Sequence, residues 1–177
     1  STTWAGRARG RALIDRELYL PKSWTDDPAR CAAARIPADR EFTTKPALAR
    51  TMIARLLAAG LPAAWVAADE AYGGDFRVRR ECEIAGVGYV LAVPKSQQVR
   101  TDIGMWRIDQ VIDSAPDDAW ERLSAGDGAK GPRLYDWAAA QLPYVPDFDD
   151  LDDGGPVFTR WILARRPLGE GEIAYYM

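Results

Sequence analysis

Two short apolar runs, AAWVAA at residues 63–68 and YVLAV at residues 89–93, constrain this chain most, because each follows a stretch patterned as a helix. Apolar runs of this length, bounded by turn residues, fit strands buried in a sheet. Ahead of the first run, Thr44 suits a helix cap and Pro46 a first turn. Leu48, Met52, Ile53, Leu56 and Leu57 then recur at helical spacing, and Gly60 supplies the stop. Ahead of the second, Asp75 opens a helix predicted over residues 76–85 and Gly86 closes it. Further upstream, residues 12–20 (ALIDRELYL) read as a strand ending at Pro21. They form the second arm of a hairpin whose first arm lies near or before Ser1. Residues 21–45 read as an irregular connection with a short helix over 28–35. Strand, helix, strand, helix, strand in order predicts an α/β sheet with parallel neighbours.

After Pro94 the pattern changes. Residues 99–113 fit either an extended strand pair or a short helix. Residues 120–123 read as a strand, 124–133 (SAGDGAKGPR) as a Gly-rich loop, and 134–142 as a strand in preference to a helix. Residues 144–155 are rich in Pro and Asp and read as a loop. Residues 158–166 and 173–176 read as strands around the turn Leu168-Gly169-Glu170-Gly171. The second half is thus expected to be a β-rich insertion on an α/β core, not a separate domain. The expected division is core 1–95, insertion 96–166 and a return strand to the core at 167–177. The start at Ser1, without Met, and the strand-like end at Met177 are read as cuts in a longer chain.

Composition removes several chemistries. There is no His, so a Ser-His-Asp triad and a His-containing zinc site are excluded within the 177 residues. Two cysteines, Cys31 and Cys82, suit a reduced cytoplasmic protein better than a disulfide framework. A bound metal would favour oxygen ligands, hence Mg²⁺, Mn²⁺ or Ca²⁺. Net charge is −3, but residues 1–60 carry eleven Lys/Arg against six Asp/Glu. That basic third suits a phosphate-facing surface or an ordinary solvated face.

Asp69 is the leading candidate for chemistry. It ends the first apolar run, where ligands gather at the carboxyl edge of α/β sheets. A two-metal nuclease needs such carboxylates around a pair of ions. The same position suits an Asp that caps the next helix. Glu70 follows Asp69 directly and would face the other way on a strand, which fits a salt bridge or a supporting role better than a shared metal. In the Gly-rich loop, Lys130 and Arg133 could meet a DNA phosphate, or the loop could be a plain hairpin turn. Trp120 and Trp137 flank it and suit a core role better than base stacking. Asp147, Asp149, Asp150, Asp152 and Asp153 lack calcium-loop spacing and read as a solvated acidic loop.

Several stretches, in order, resemble the DDE-type transposases of bacterial insertion sequences, which are DDE superfamily endonucleases. They are ALIDRELYLPKSWTDD (12–27), TKPALA (44–49), WVAADEAYG (65–73), RLSAGDGAKGPRLYDWA (122–138), and RWILARR (160–166) with EIAYY (172–176). The resemblance implies a ribonuclease H-like mixed sheet core with a β-rich insertion, here truncated at both ends. It implies Asp69 as the second catalytic, metal-binding carboxylate and Mg²⁺ or Mn²⁺ as cofactor. It implies DNA cleavage and strand transfer at terminal inverted repeats, a cytoplasmic, nucleoid-associated bacterial location, and association with itself or with full-length transposase. The family's first Asp would lie on the strand before residue 12, and its final Glu on a helix after Tyr176. Neither Asp15 nor Glu172 carries a motif that would substitute. The resemblance therefore implies a chain that is inactive alone, or a DNA-binding regulatory remnant.

Overall fold

The computed structural model describes residues 2–7, 10–129, 131–144 and 158–177. Lys130 and the five aspartates between 147 and 153 lie outside the described residues. The chain opens with an antiparallel hairpin, β1 (Thr2–Arg7) and β2 (Gly10–Arg16), followed by short helices α1 (Lys22–Thr25) and α2 (Pro28–Ala33). Strand β2 stops at Arg16, short of the residue 20 expected from sequence, and Leu20 is buried without strand pairing. Helix α3 (Lys45–Ala58) starts as predicted: the Thr44 hydroxyl accepts from the Ala47 N–H, and Gly60 turns the chain at φ +77°.

Next come β3 (Trp65–Ala68), α4 (Glu70–Gly73), α5 (Phe76–Ile84) and β4 (Gly88–Val93). Strands β3 and β4 are parallel, as the alternation requires. The stretch 98–113 contains both of the structures its pattern allowed. A hairpin, β5 (Gln98–Thr101) and β6 (Gly104–Arg107), leads into α6 (Ile108–Asp113). Strands β7 (Glu121–Gly128), β8 (Gly131–Gln141), β9 (Trp161–Pro167) and β10 (Ala174–Tyr176) complete the set.

The main sheet is mixed and six-stranded, ordered β3-β4-β10-β9-β8-β7, so the region after residue 120 shares one sheet with the α/β half. Among the described residues, strand β10 links the two halves of this sheet, pairing antiparallel with β4 on one side and with β9 on the other, and Met177 beyond it exchanges backbone hydrogen bonds with Leu91 of β4. The chain is therefore a mixed α/β fold, with β1–β2 and β5–β6 as separate two-stranded sheets.

Two expectations fail. The Gly-rich stretch 124–133 is not an open loop: β7 and β8 pair through it, with a register shift between Ser124 and Asp127 and a turn at Gly128–Gly131. Gly126 and Gly131 take positive φ and absorb the irregularity inside a continuing ladder. The run AAWVAA is not a buried strand either. Strand β3 is the sheet edge, hydrogen-bonded only to β4 among the described residues, and Trp65 is 69% exposed. An apolar run reads the same whether one or both of its sides are paired.

Two buried clusters anchor the sheet. Ile53 from α3 and Val78 and Cys82 from α5 pack with Leu91 of β4. Val99 and the α6 residues Ile108 and Ile112 pack with Val93, Ile162, Ala164, Tyr175 and Met177. Burial raises the Cys82 thiol pKa to about 11, so it behaves as an apolar side chain.

Candidate active-site edge

Asp69 follows the last residue of β3, where the chain leaves the sheet and turns into α4. Its carboxylate Oδ1 accepts from the Ala71 N–H at 3.1 Å, so it caps this short helix, and its side chain is exposed. Capping uses one of the carboxylate's several lone-pair positions and leaves the rest open to solvent. Glu70 is exposed too and sits in the first turn of α4.

The turn beyond Asp69 is held rigidly. A Cβ on Gly73 would stand 2.0 Å from the Ala92 carbonyl oxygen, so only glycine lets α4 lie against β4. The Gly73 N–H donates to the Asp69 carbonyl at 3.1 Å. The Gly73 carbonyl in turn accepts from the buried Arg79 guanidinium of α5. Strand, cap and glycine contact thus fix one carboxylate at an open sheet edge.

Arg133 is far from that edge. It is exposed near the β7–β8 turn, and its Nη2 donates to the Ala125 carbonyl at 2.8 Å. Strand β8 is four strand spacings from β3, and Arg133 lies about six residues beyond the level of Asp69. In a flat sheet the separation is roughly 28 Å. The fold does not bring Asp69 and Arg133 together.

The other residues weighed from sequence are structural where described. Trp120 packs against the second core cluster, with the Arg166 guanidinium 4.1 Å from its ring centroid. Trp137 lies 6.1 Å from Tyr176 and 6.4 Å, edge-on, from Tyr135. Asp15 is ion-paired with Arg55, and Glu172 is exposed ahead of β10.

Arg79 and Glu83, which no sequence motif marks, are both buried on α5. Glu83 accepts from Arg160 Nε at 2.8 Å, from Arg160 Nη2 at 3.1 Å and from the Tyr89 hydroxyl at 2.9 Å. Burial raises its pKa, but the Arg160 and Tyr89 hydrogen bonds outweigh that and hold it below the ordinary carboxylate value. The one signal for these two residues was register: each directly follows an apolar residue of the buried face, Val78 and Cys82, one helical turn apart.

No group of three or more His, Cys, Asp or Glu side chains able to hold a metal occurs among the described residues. The described side chains therefore do not complete a two-metal centre by themselves. Residues 1–105, which include Asp69 and the whole of α3 to β5, match the family described as DDE superfamily endonuclease. Neither a curated protein nor a solved structure matches the chain.

Proposed function

The chain belongs to the DDE superfamily endonucleases, and from that premise we propose that it is the catalytic-domain part of a DNA transposase with Asp69 as one of the metal-binding carboxylates. The observation that carries this reading is the exposed Asp69 carboxylate at the carboxyl end of a strand, within the matched residues and steadied by the Ala71 N–H. Family members act on DNA, and such nucleases use divalent metals. Oxygen ligation favours Mg²⁺ or Mn²⁺. On this proposal the core is ribonuclease H-like and the strands after residue 96 are its β-rich insertion. The DNA is the element's terminal inverted repeat, bound with help from Lys130 and Arg133. The setting is the bacterial cytoplasm, at the nucleoid.

Further carboxylates are needed to complete the centre, since Asp69 has no carboxylate set around it among the described residues. This favours a second reading: the polypeptide alone binds DNA without cutting it, and associates with itself or with a complete transposase. Metal-dependent strand transfer by the purified 177-residue chain would overturn the second reading.

Calorimetric titration of Mn²⁺ into the chain and into Asp69→Asn, each with a short DNA duplex, tests the site. Binding by the parent that is lost in Asp69→Asn is expected. Equal Mn²⁺ binding by both would remove Asp69 from any metal site.

A further inference from the structure

Helix α4 has four residues, and a single turn fixes more backbone dihedrals than its few hydrogen bonds compensate. Its ends are therefore held from outside. At the start, the Asp69 carboxylate accepts from the Ala71 N–H, and the Asp69 carbonyl accepts from the Tyr72 and Gly73 N–H groups, each at 3.1 Å. At the other end, the Gly73 carbonyl is one of the acceptors that a terminating helix leaves open. The Asp75 N–H passes it by and donates to the Tyr72 carbonyl at 3.2 Å. Gly73 is buried, where an open acceptor is unfavourable. Arg79 Nη1 fills the place.

A guanidinium is a demanding choice for that task. Arg79 is 8% exposed, and burial disfavours its charge and lowers its pKa. Among the described residues it makes no ion pair, since Arg80 and Arg160 are the partners of Glu83. A buried charge facing one neutral carbonyl contributes little to stability, and an apolar side chain of similar size often does as well or better. What Arg79 does supply is position. One line of hydrogen bonds runs from Arg79 Nη1 to the Gly73 carbonyl, and from the Gly73 N–H to the Asp69 carbonyl. It ties the turn that begins at Asp69 to α5, whose Val78 and Cys82 sit in the core with Leu91.

We propose that Arg79 is a positioning residue for Asp69, holding that carboxylate in place through Gly73 without touching it. The proposal rests on Asp69 being a metal-binding carboxylate. Residues that stand behind a metal ligand in this way commonly change metal affinity by about 10- to 100-fold when removed.

The full chain is compared with Arg79→Met, Arg79→Lys and Asp69→Asn by Mn²⁺ calorimetry with a short DNA duplex, by amide exchange followed by NMR, and by thermal melts without metal. Arg79→Met keeps the length of the side chain and removes the donor. It should speed exchange of the Tyr72 and Gly73 amides and weaken Mn²⁺ binding, each by at least about tenfold, while the melting temperature stays within about 3 °C. Arg79→Lys keeps a donor and should lie closer to the parent in both. Unchanged exchange or unchanged Mn²⁺ affinity in Arg79→Met, with binding lost in Asp69→Asn, overturns the role of Arg79 alone, as does an Arg79→Lys no better than Arg79→Met. No Mn²⁺ binding by the parent, or equal binding by Asp69→Asn, removes the Asp69 reading and this role with it. Should Arg79→Met melt lower or not fold, Arg79→Leu decides by the same criteria. A second such failure makes Arg79 an ordinary stabilising residue and overturns the proposal.

Discussion

Asp15 on β2 and Arg55 on α3, forty residues apart, form a two-point ion pair, Arg55 Nη2 reaching Oδ1 at 2.7 Å and Nε reaching Oδ2 at 3.0 Å. Arg55 Nη1 also donates to Glu17 at 3.1 Å. Among the described residues the β1–β2 hairpin has no strand pairing to the main sheet, and this guanidinium ties it to α3. Arg55→Ala should release the hairpin locally. Hydrogen exchange should speed up across Gly10–Arg16 while amides of β4 and β9 keep their protection. Unchanged exchange in β2 would mean that apolar contacts hold the hairpin.

Two glycines on the α/β half differ in what a methyl group would strike. At Gly73 the obstacle is the Ala92 carbonyl oxygen, 2.0 Å away, which is backbone in a paired strand. At Gly88 it is the Trp65 ring, 2.7 Å away, on a largely exposed side chain that can swing outward. Gly73→Ala should cost about 3 kcal/mol or prevent folding, and Gly88→Ala about 1 kcal/mol. Urea denaturation of both variants checks the order, and equal losses would contradict it.

Capping and metal binding by Asp69 can be separated. Asn keeps an oxygen for the Ala71 N–H and removes the charge, so Asp69→Asn should change stability by only about 0.3 kcal/mol. Asp69→Ala loses the cap and should cost about 1 kcal/mol. Thermal melts without metal test this. A large loss in Asp69→Asn would show that the charge itself stabilises the fold.

Glu83 is 4% exposed and joins α5 to the segment leading into β9. Glu83→Ala would leave a cluster of arginines facing one another and should cost about 3 kcal/mol. The folded pKa of Glu83 lies below its ordinary value of 4.5, so its contribution is complete above that pH and is lost as pH falls through the folded pKa. Asp15, Asp109 and Asp136 act in the same direction, each lowered by its hydrogen-bonded arginine from an ordinary 3.8. Stability should therefore decline on acidification below about pH 4.5, with a shallower slope in Glu83→Gln. Denaturation midpoints measured across that range check it.

How far the sequence could be read depended on whether a feature was local. Thr44, Gly60, Asp75 and Gly86 act within a few residues of themselves, and α3 and α5 begin and end where those residues predict. Asp69 was legible for the same reason, as both a cap and a strand-end carboxylate. The edge position of β3 was not, because it depends on which strand pairs with β4 from the other side, and that strand comes more than eighty residues later. The Glu83–Arg160 pair was hidden for a related reason: its members stand 77 residues apart and meet only in the fold. At 124–133 a hairpin turn was legible but the reach of its ladder was not, because glycine signals a turn without telling whether the pairing resumes around it.

The junction at β10 also governs the order of assembly. Strands β3 and β4 can pair early, and β7, β8 and β9 can pair among themselves, but neither group touches the other through strand pairing until Ala174–Tyr176 arrives between them. Each group meanwhile presents an open edge. On a ribosome, the sheet stays in two pieces until those residues clear the exit tunnel, and chaperone binding during that interval should be strongest at the edges of β4 and β9 that later meet β10.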